Sequence, residues 1–139
     1  MIKKSTLAIV LAIAVAQASF ATTSHSAGAI KNGVACVKAG ASTVVTVKNV
    51  KNTYICTVNP AAATNPNIAK SGKTWTLKTC VSYYAAYKTN QQSIDDQRSL
   101  VGVMSEPDKT TYTKQLDASQ ASLMKVLAAI ENNYCKTGL

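Results

Sequence analysis

The chain has 139 residues, of which 15 are Lys or Arg and 6 are Asp or Glu, for a formal net charge of +9. That length suits a single small domain rather than several. A lone His and 4 Cys exclude most histidine-assisted nucleophilic chemistry and leave no material for a zinc cluster of paired Cys and His.

The opening stretch, MIKKSTLAIVLAIAVAQASFA, has Lys3 and Lys4 ahead of an uninterrupted apolar run from Leu7 to Ala16. Two small-x-small patterns follow, ending at Ala18 and Ala21. This is the layout of a secretory signal peptide over residues 1–21, with cleavage expected after Ala21, or alternatively after Ala18. A membrane anchor needs ~18 or more apolar residues, and this run is too short. The segment has no Cys, which argues against lipoprotein processing. The mature chain is therefore expected in the periplasm or secreted, with no later stretch able to span a membrane.

Charge divides the mature chain. Residues 22–94 hold eight Lys and no Asp or Glu, whereas residues 95–139 hold five basic and six acidic residues. Residues 22–33 (TTSHSAGAIKNG) are small and polar and read as a flexible lead-in to one domain over 34–139. The stretches VACVK (34–38), STVVTVKNV (42–50) and TYICTVN (53–59) are rich in Val, Ile, Thr and Tyr and predict strands. Asn59 to Gly72 carries two Asn-Pro dipeptides, a loop signal. KTWTLK predicts a fourth strand, with Trp75 and Leu77 on one face and Thr74, Thr76 and Lys78 on the other.

From residue 79 the pattern turns helical. Val81, Tyr84, Tyr87, Gln91, Ile94, Val101 and Met104 recur three or four apart with one wider gap. Thr79 is the expected N-cap, and a break is expected near Asn90 to Ser93, with Ser93 capping a second segment. Ser105 caps the next helix and Pro107 suits its first turn. Leu116, Leu123, Leu127, Ile130 and Tyr134 form its buried stripe. The order predicts an α+β fold: a small antiparallel sheet of three or four strands over residues ~34–78, basic in charge, then a helical hairpin over ~80–135. A helical body carrying a loosely structured, disulfide-tied β region is the alternative.

Four Cys in an exported chain predict two structural disulfides. Cys80 opens the first helical arm and Cys135 closes the last, so a hairpin brings them to one end, leaving Cys36 for Cys56. Counted from Ser105, Cys80 lies 25 residues back and Cys135 lies 30 forward. In straight helices that mismatch amounts to ~7.5 Å, slightly beyond the ~7 Å a disulfide tolerates. The expected break in the first arm would close it.

Catalytic candidates fail one by one. His25 lies in the lead-in, one position too late for an amino-terminal copper site. KSGKT (70–74) ends like a phosphate-binding loop, but Asn67 stands where that motif needs Gly, and a strand follows instead of a helix. Asp95 and Asp96 diverge by about 100° on a helix and cannot flank one bond. Asp95, Asp96, Glu106 and Asp108 read as helix-terminal charges, and Glu131 as a solvated helix residue. The chain is thus read as neither enzyme nor metal or cofactor protein, with a small hydrolase or redox protein as the least favoured reading.

The remaining signal is positive charge: Lys48, Lys51, Lys70, Lys73 and Lys78, with Tyr54 and Trp75 near them in sequence. Such a field attracts polyanions. With no Arg in the set, bidentate phosphate reading is missing, which argues against specific nucleic-acid recognition. The expected partner is an anionic glycan, a lipopolysaccharide or an acidic protein, met by the lysine face and the Asn59 to Gly72 loop. A structural or assembly subunit of a surface or envelope complex is the alternative, because Thr- and Val-rich strand edges pair between chains.

Overall fold

A computed structural model describes residues 30–139, so the expected signal peptide, its cleavage sites and residues 22–29 lie outside the described residues. Side chains branched at Cβ favour extended backbone, and the Val/Thr-rich run folds as β1 (Ser42–Val47) and β2 (Val50–Val58), paired antiparallel. Lys48 and Asn49 form the two-residue turn, both at positive φ (49° and 64°), the geometry that matches strand twist. β3 (Lys73–Leu77) pairs antiparallel with the other edge of β2, giving the order β1-β2-β3.

The VACVK stretch does not form the expected full strand. It makes one bridge, Ala35 to Thr74. Around that bridge, Val34 O accepts from Trp75 N (2.8 Å) and Cys36 N donates to Lys73 O (3.3 Å). The segment runs along the outer edge of β3 and makes β3 an interior strand. On β3, Thr74 and Thr76 are buried, whereas Trp75 is only half-buried. The two hydroxyls share a hydrogen bond, which satisfies polar atoms that burial would otherwise penalise.

The chain passes directly from β3 into α1 (Lys78–Val101), turns, and returns as α2 (Asp108–Ile130). The predicted stripes face inward, with Tyr84, Ile94 and Val101 on α1 and Leu116, Leu123, Leu127 and Ile130 on α2 buried. The expected break near Asn90 to Ser93 is absent, and α1 runs through it. The second arm ends instead in a π-turn over Glu131–Cys135, whose wider coil uses more residues per unit of axial length and shortens that arm slightly. Neither Thr79 nor Ser105 caps a helix. Leu77 stands at the α1 cap, because the helix begins where the strand ends, and the Glu106 carboxylate accepts from Thr110 N (3.3 Å) at the start of α2.

Both disulfides have the expected partners, Cys36–Cys56 and Cys80–Cys135, with Cα separations of 5.8 Å and 5.1 Å. Cys56, Cys80 and Cys135 are fully buried. Two clusters make up the core. Ile30, Val45, Tyr54, Ala61, Leu77, Tyr84, Leu127 and Ile130 pack between sheet and helices with Cys80 and Cys135. Ile94, Val101, Leu116 and Leu123 join the far ends of the helices, where reciprocal amide bonds between Gln91 and Gln120 (3.0 and 2.8 Å) add polar pairing.

The lead-in ends earlier than expected. Ile30 and Asn32 are buried, and Asn32 ties three parts of the chain together. Its Nδ2 donates to Tyr134 O (2.7 Å), and its Oδ1 accepts from Leu77 N (2.7 Å). Its backbone N donates to Leu139 O and its carbonyl accepts from Gly138 N, each at 2.8 Å. Gly33 follows at φ +87°, and a Cβ there would come within 2.6 Å of Thr137 Cγ2, so this close crossing requires glycine. Among the described residues, no helix is long and apolar enough to cross a membrane.

Candidate functional site

The sheet separates the predicted lysines into two groups. Lys73 opens β3 and Lys78 follows its end, so roughly 16 Å of strand divides them. Lys70 precedes β3 on the Lys73 side, and Lys73 Nζ donates to Val37 O (3.3 Å), which directs it along the Cys36 segment. Lys48 sits in the β1–β2 turn, three positions before Lys51 on β2. All five are exposed.

Lys51 and Lys78, far apart in sequence, converge. The register pairs Tyr54 with Leu77, so the residues just before Tyr54 and just after Leu77 meet at the same end of the sheet. A groove of about 340 Å³ opens there, lined by Lys51, Asn52 and Thr53 from β2 and by Lys78, Thr79, Ser82 and Tyr83 from α1. Two of the seven lining residues are lysines, four others besides Tyr83 carry a hydroxyl or an amide, and none is acidic. The first turn of α1 has no acidic residue and no side-chain cap, so its backbone N–H groups leave partial positive charge at this end. Among the described residues the sole ion pair is Arg98 with Asp117 (2.8 Å), which joins α1 to α2 twenty residues along α1 from Lys78, so neither Lys51 nor Lys78 is neutralised by a carboxylate.

Tyr83 forms the aromatic edge of the groove. Its ring lies 5.1 Å from that of Tyr134 at 82°, an edge-to-face contact that fixes it, yet the residue stays 46% exposed. The two aromatics predicted from sequence lie elsewhere. Tyr54 is buried on the helix-facing side of the sheet, its hydroxyl donating to Leu139 O (3.2 Å), and burial raises its pKa. Trp75 is half-buried against the main core. Neither is offered to a partner in the way Tyr83 is.

The Asn59 to Gly72 loop, expected as part of the contact surface, is largely fastened inward. Asn59 is buried, with its Nδ2 donating to Cys135 O (2.8 Å) and its Oδ1 accepting from Ala61 N (3.1 Å). Thr64 Oγ1 and Asn65 Nδ2 each donate to the Glu131 carboxylate at 3.1 Å. Glu131 is therefore a buried anchor and not the solvated helix residue expected from its surroundings in sequence. Thr64 also shares a hydrogen bond with the Tyr84 hydroxyl, whose pKa is raised by burial. This cluster docks the loop onto the end of α2.

A larger groove of about 540 Å³ lies between α1 and α2, lined by Asn90, Ser93, Ser119 and Ser122 with apolar side chains, and by no titratable group. Asp95 and Asp96 do not line it. Among the described residues no group of His, Cys, Asp and Glu is arranged to hold a metal ion. Sequence reasoning identified Lys51 and Lys78 but missed Ser82 and Tyr83, because it treated the lysines as a property of the β half alone. The signal was present in the junction TLKTCVSYY, where a strand runs into a helix without a loop. Compared with known proteins, the chain matches no family model, no curated protein and no solved structure.

Proposed function

We propose that this is an exported, non-catalytic binding domain whose Lys51–Lys78 groove takes an anionic ligand at an envelope or extracellular surface. The convergence of two unpaired lysines from different elements on one polar groove carries this reading. Placement outside the cytoplasm is supported by the leader-like opening of the sequence and by two disulfides, which persist in oxidising compartments. A ligand of this class is drawn in by the acid-free basic half and oriented by the groove.

The test compares two double variants of equal charge on a sulfated-polysaccharide column eluted with salt. Lys51→Ala/Lys78→Ala is expected to elute at clearly lower salt than Lys70→Ala/Lys73→Ala. Equal shifts would mean that diffuse charge, and not this groove, holds the polyanion. The assembly reading has its own support: among the described residues nothing pairs with the outer edge of β1, where Val44 is 57% exposed. A salt-resistant oligomer in size-exclusion chromatography would favour it.

A further inference from the structure

Resting on that reading of the groove, we infer that its ligand is an acidic sugar, a uronate unit whose carboxylate meets Lys51 and Lys78 while its ring lies against Tyr83. The chemistry of the walls points to a polyhydroxylated anion instead of a bare phosphate or sulfate. An ammonium only donates, and two of them suit a carboxylate. Hydroxyls and an amide both donate and accept, which is what sugar hydroxyls require, and Asn52, Thr53, Thr79 and Ser82 among the lining residues are of that kind. Sulfate, which only accepts, would leave the acceptor half of that set unused, and phosphate would use little of it.

The aromatic ring is the second observation. A pyranose presents a face of polarised C–H groups that packs on an aromatic ring, and Tyr83 is exposed at the groove while Tyr134 holds it in place. A pre-positioned ring loses little freedom on binding. The volume of about 340 Å³ lies at the small end of ligand sites (~300–1,000 Å³) and suits one or two sugar units of a longer chain. A nucleotide also combines a ring with an anion. It is the weaker fit, because there is one exposed aromatic here and no Arg to take the phosphate bidentately.

The experiment measures binding of tetragalacturonate, tripolyphosphate and a nucleoside monophosphate to the chain from residue 22 onward, with both disulfides intact. Tyr83→Leu retains apolar bulk against Tyr134 but removes the aromatic face, and Tyr83→Trp retains a face. Tyr83→Leu is expected to weaken tetragalacturonate by up to about tenfold while leaving tripolyphosphate unchanged, and Tyr83→Trp to bind both normally. In the wild type, sugar ring protons should move upfield in proton NMR on binding, as they do beneath an aromatic ring. Lys51→Ala/Lys78→Ala should weaken both anions. If Tyr83→Leu weakens both anions equally or neither, or if the nucleotide binds more tightly than the uronate, the sugar assignment is wrong while the anion groove stands. If the lysine pair changes neither affinity, the groove reading itself fails.

Discussion

Asn32→Ala is the most informative single change, because one side chain there closes two gaps at once. Asn32 is 1% exposed, its Nδ2 occupying the carbonyl of Tyr134 and its Oδ1 the N–H of Leu77, both at 2.7 Å. Alanine leaves the buried N–H of Leu77 without a partner, at ~1–3 kcal/mol, and the part-buried carbonyl of Tyr134 at a smaller cost. The expected loss is about 3 kcal/mol. For a domain of this size, each kcal/mol shifts Tm by about 4 °C, so the midpoint should fall by about 12 °C. Urea unfolding with intact disulfides, followed by Trp75 fluorescence and far-UV circular dichroism, measures the loss directly. Asn32→Asp separates bonding from volume: it retains the shape and the acceptor for Leu77 N, but sets an oxygen against the Tyr134 carbonyl. It should cost at least as much as alanine at neutral pH. A loss below about 1 kcal/mol in Asn32→Ala, or a near-neutral Asn32→Asp, would refute the claim that these two bonds hold the domain closed.

Two further outcomes follow from the same structure. Replacing Cys80 and Cys135 by Ala should cost about 4 kcal/mol, and replacing Cys36 and Cys56 about 3 kcal/mol, since the closed loops span 55 and 20 residues. Urea unfolding of the two double variants checks the order, and a reversed order would show that loop entropy is not the governing term. Tyr54 and Tyr84 both have pKa values raised by burial from the ordinary value of 10.0. The unfolded chain therefore loses these protons first as pH rises, so stability is intact below about pH 10 and declines from there through the folded pKa values. Ultraviolet titration should show late tyrosines, and Tyr54→Phe/Tyr84→Phe should flatten the alkaline decline. An unchanged slope would remove burial as its cause.

The hairpin and its disulfide were legible because they follow from periodicity and distance alone. Leu116, Leu123, Leu127 and Ile130 mark a buried stripe in any helical context, and Cys80 and Cys135 then fall at one end. What stayed hidden depends on contacts distant in sequence. Glu131 has no local feature that announces burial, and its partners Thr64 and Asn65 lie 67 and 66 residues away. Thr74 and Thr76 alternate with Trp75 and Leu77 as expected, but nothing local announces that both are buried. The groove was half legible: lysines are visible in composition, whereas their convergence required the register of β2 with β3 and the loop-free step into α1.

The bond from Asn32 to the carbonyl of Tyr134 closes across 102 residues of sequence. A chain delivered from its amino-terminal end, through a ribosome tunnel or a membrane pore, brings Asn32 out first and must hold it without its partners until nearly all the rest has followed. The strands and helices have local reasons to form on the way, but the joint that locks them is among the last to become available. Closure of the domain is thus a late event, set by the arrival of the last residues and not by the strands and helices that form before them.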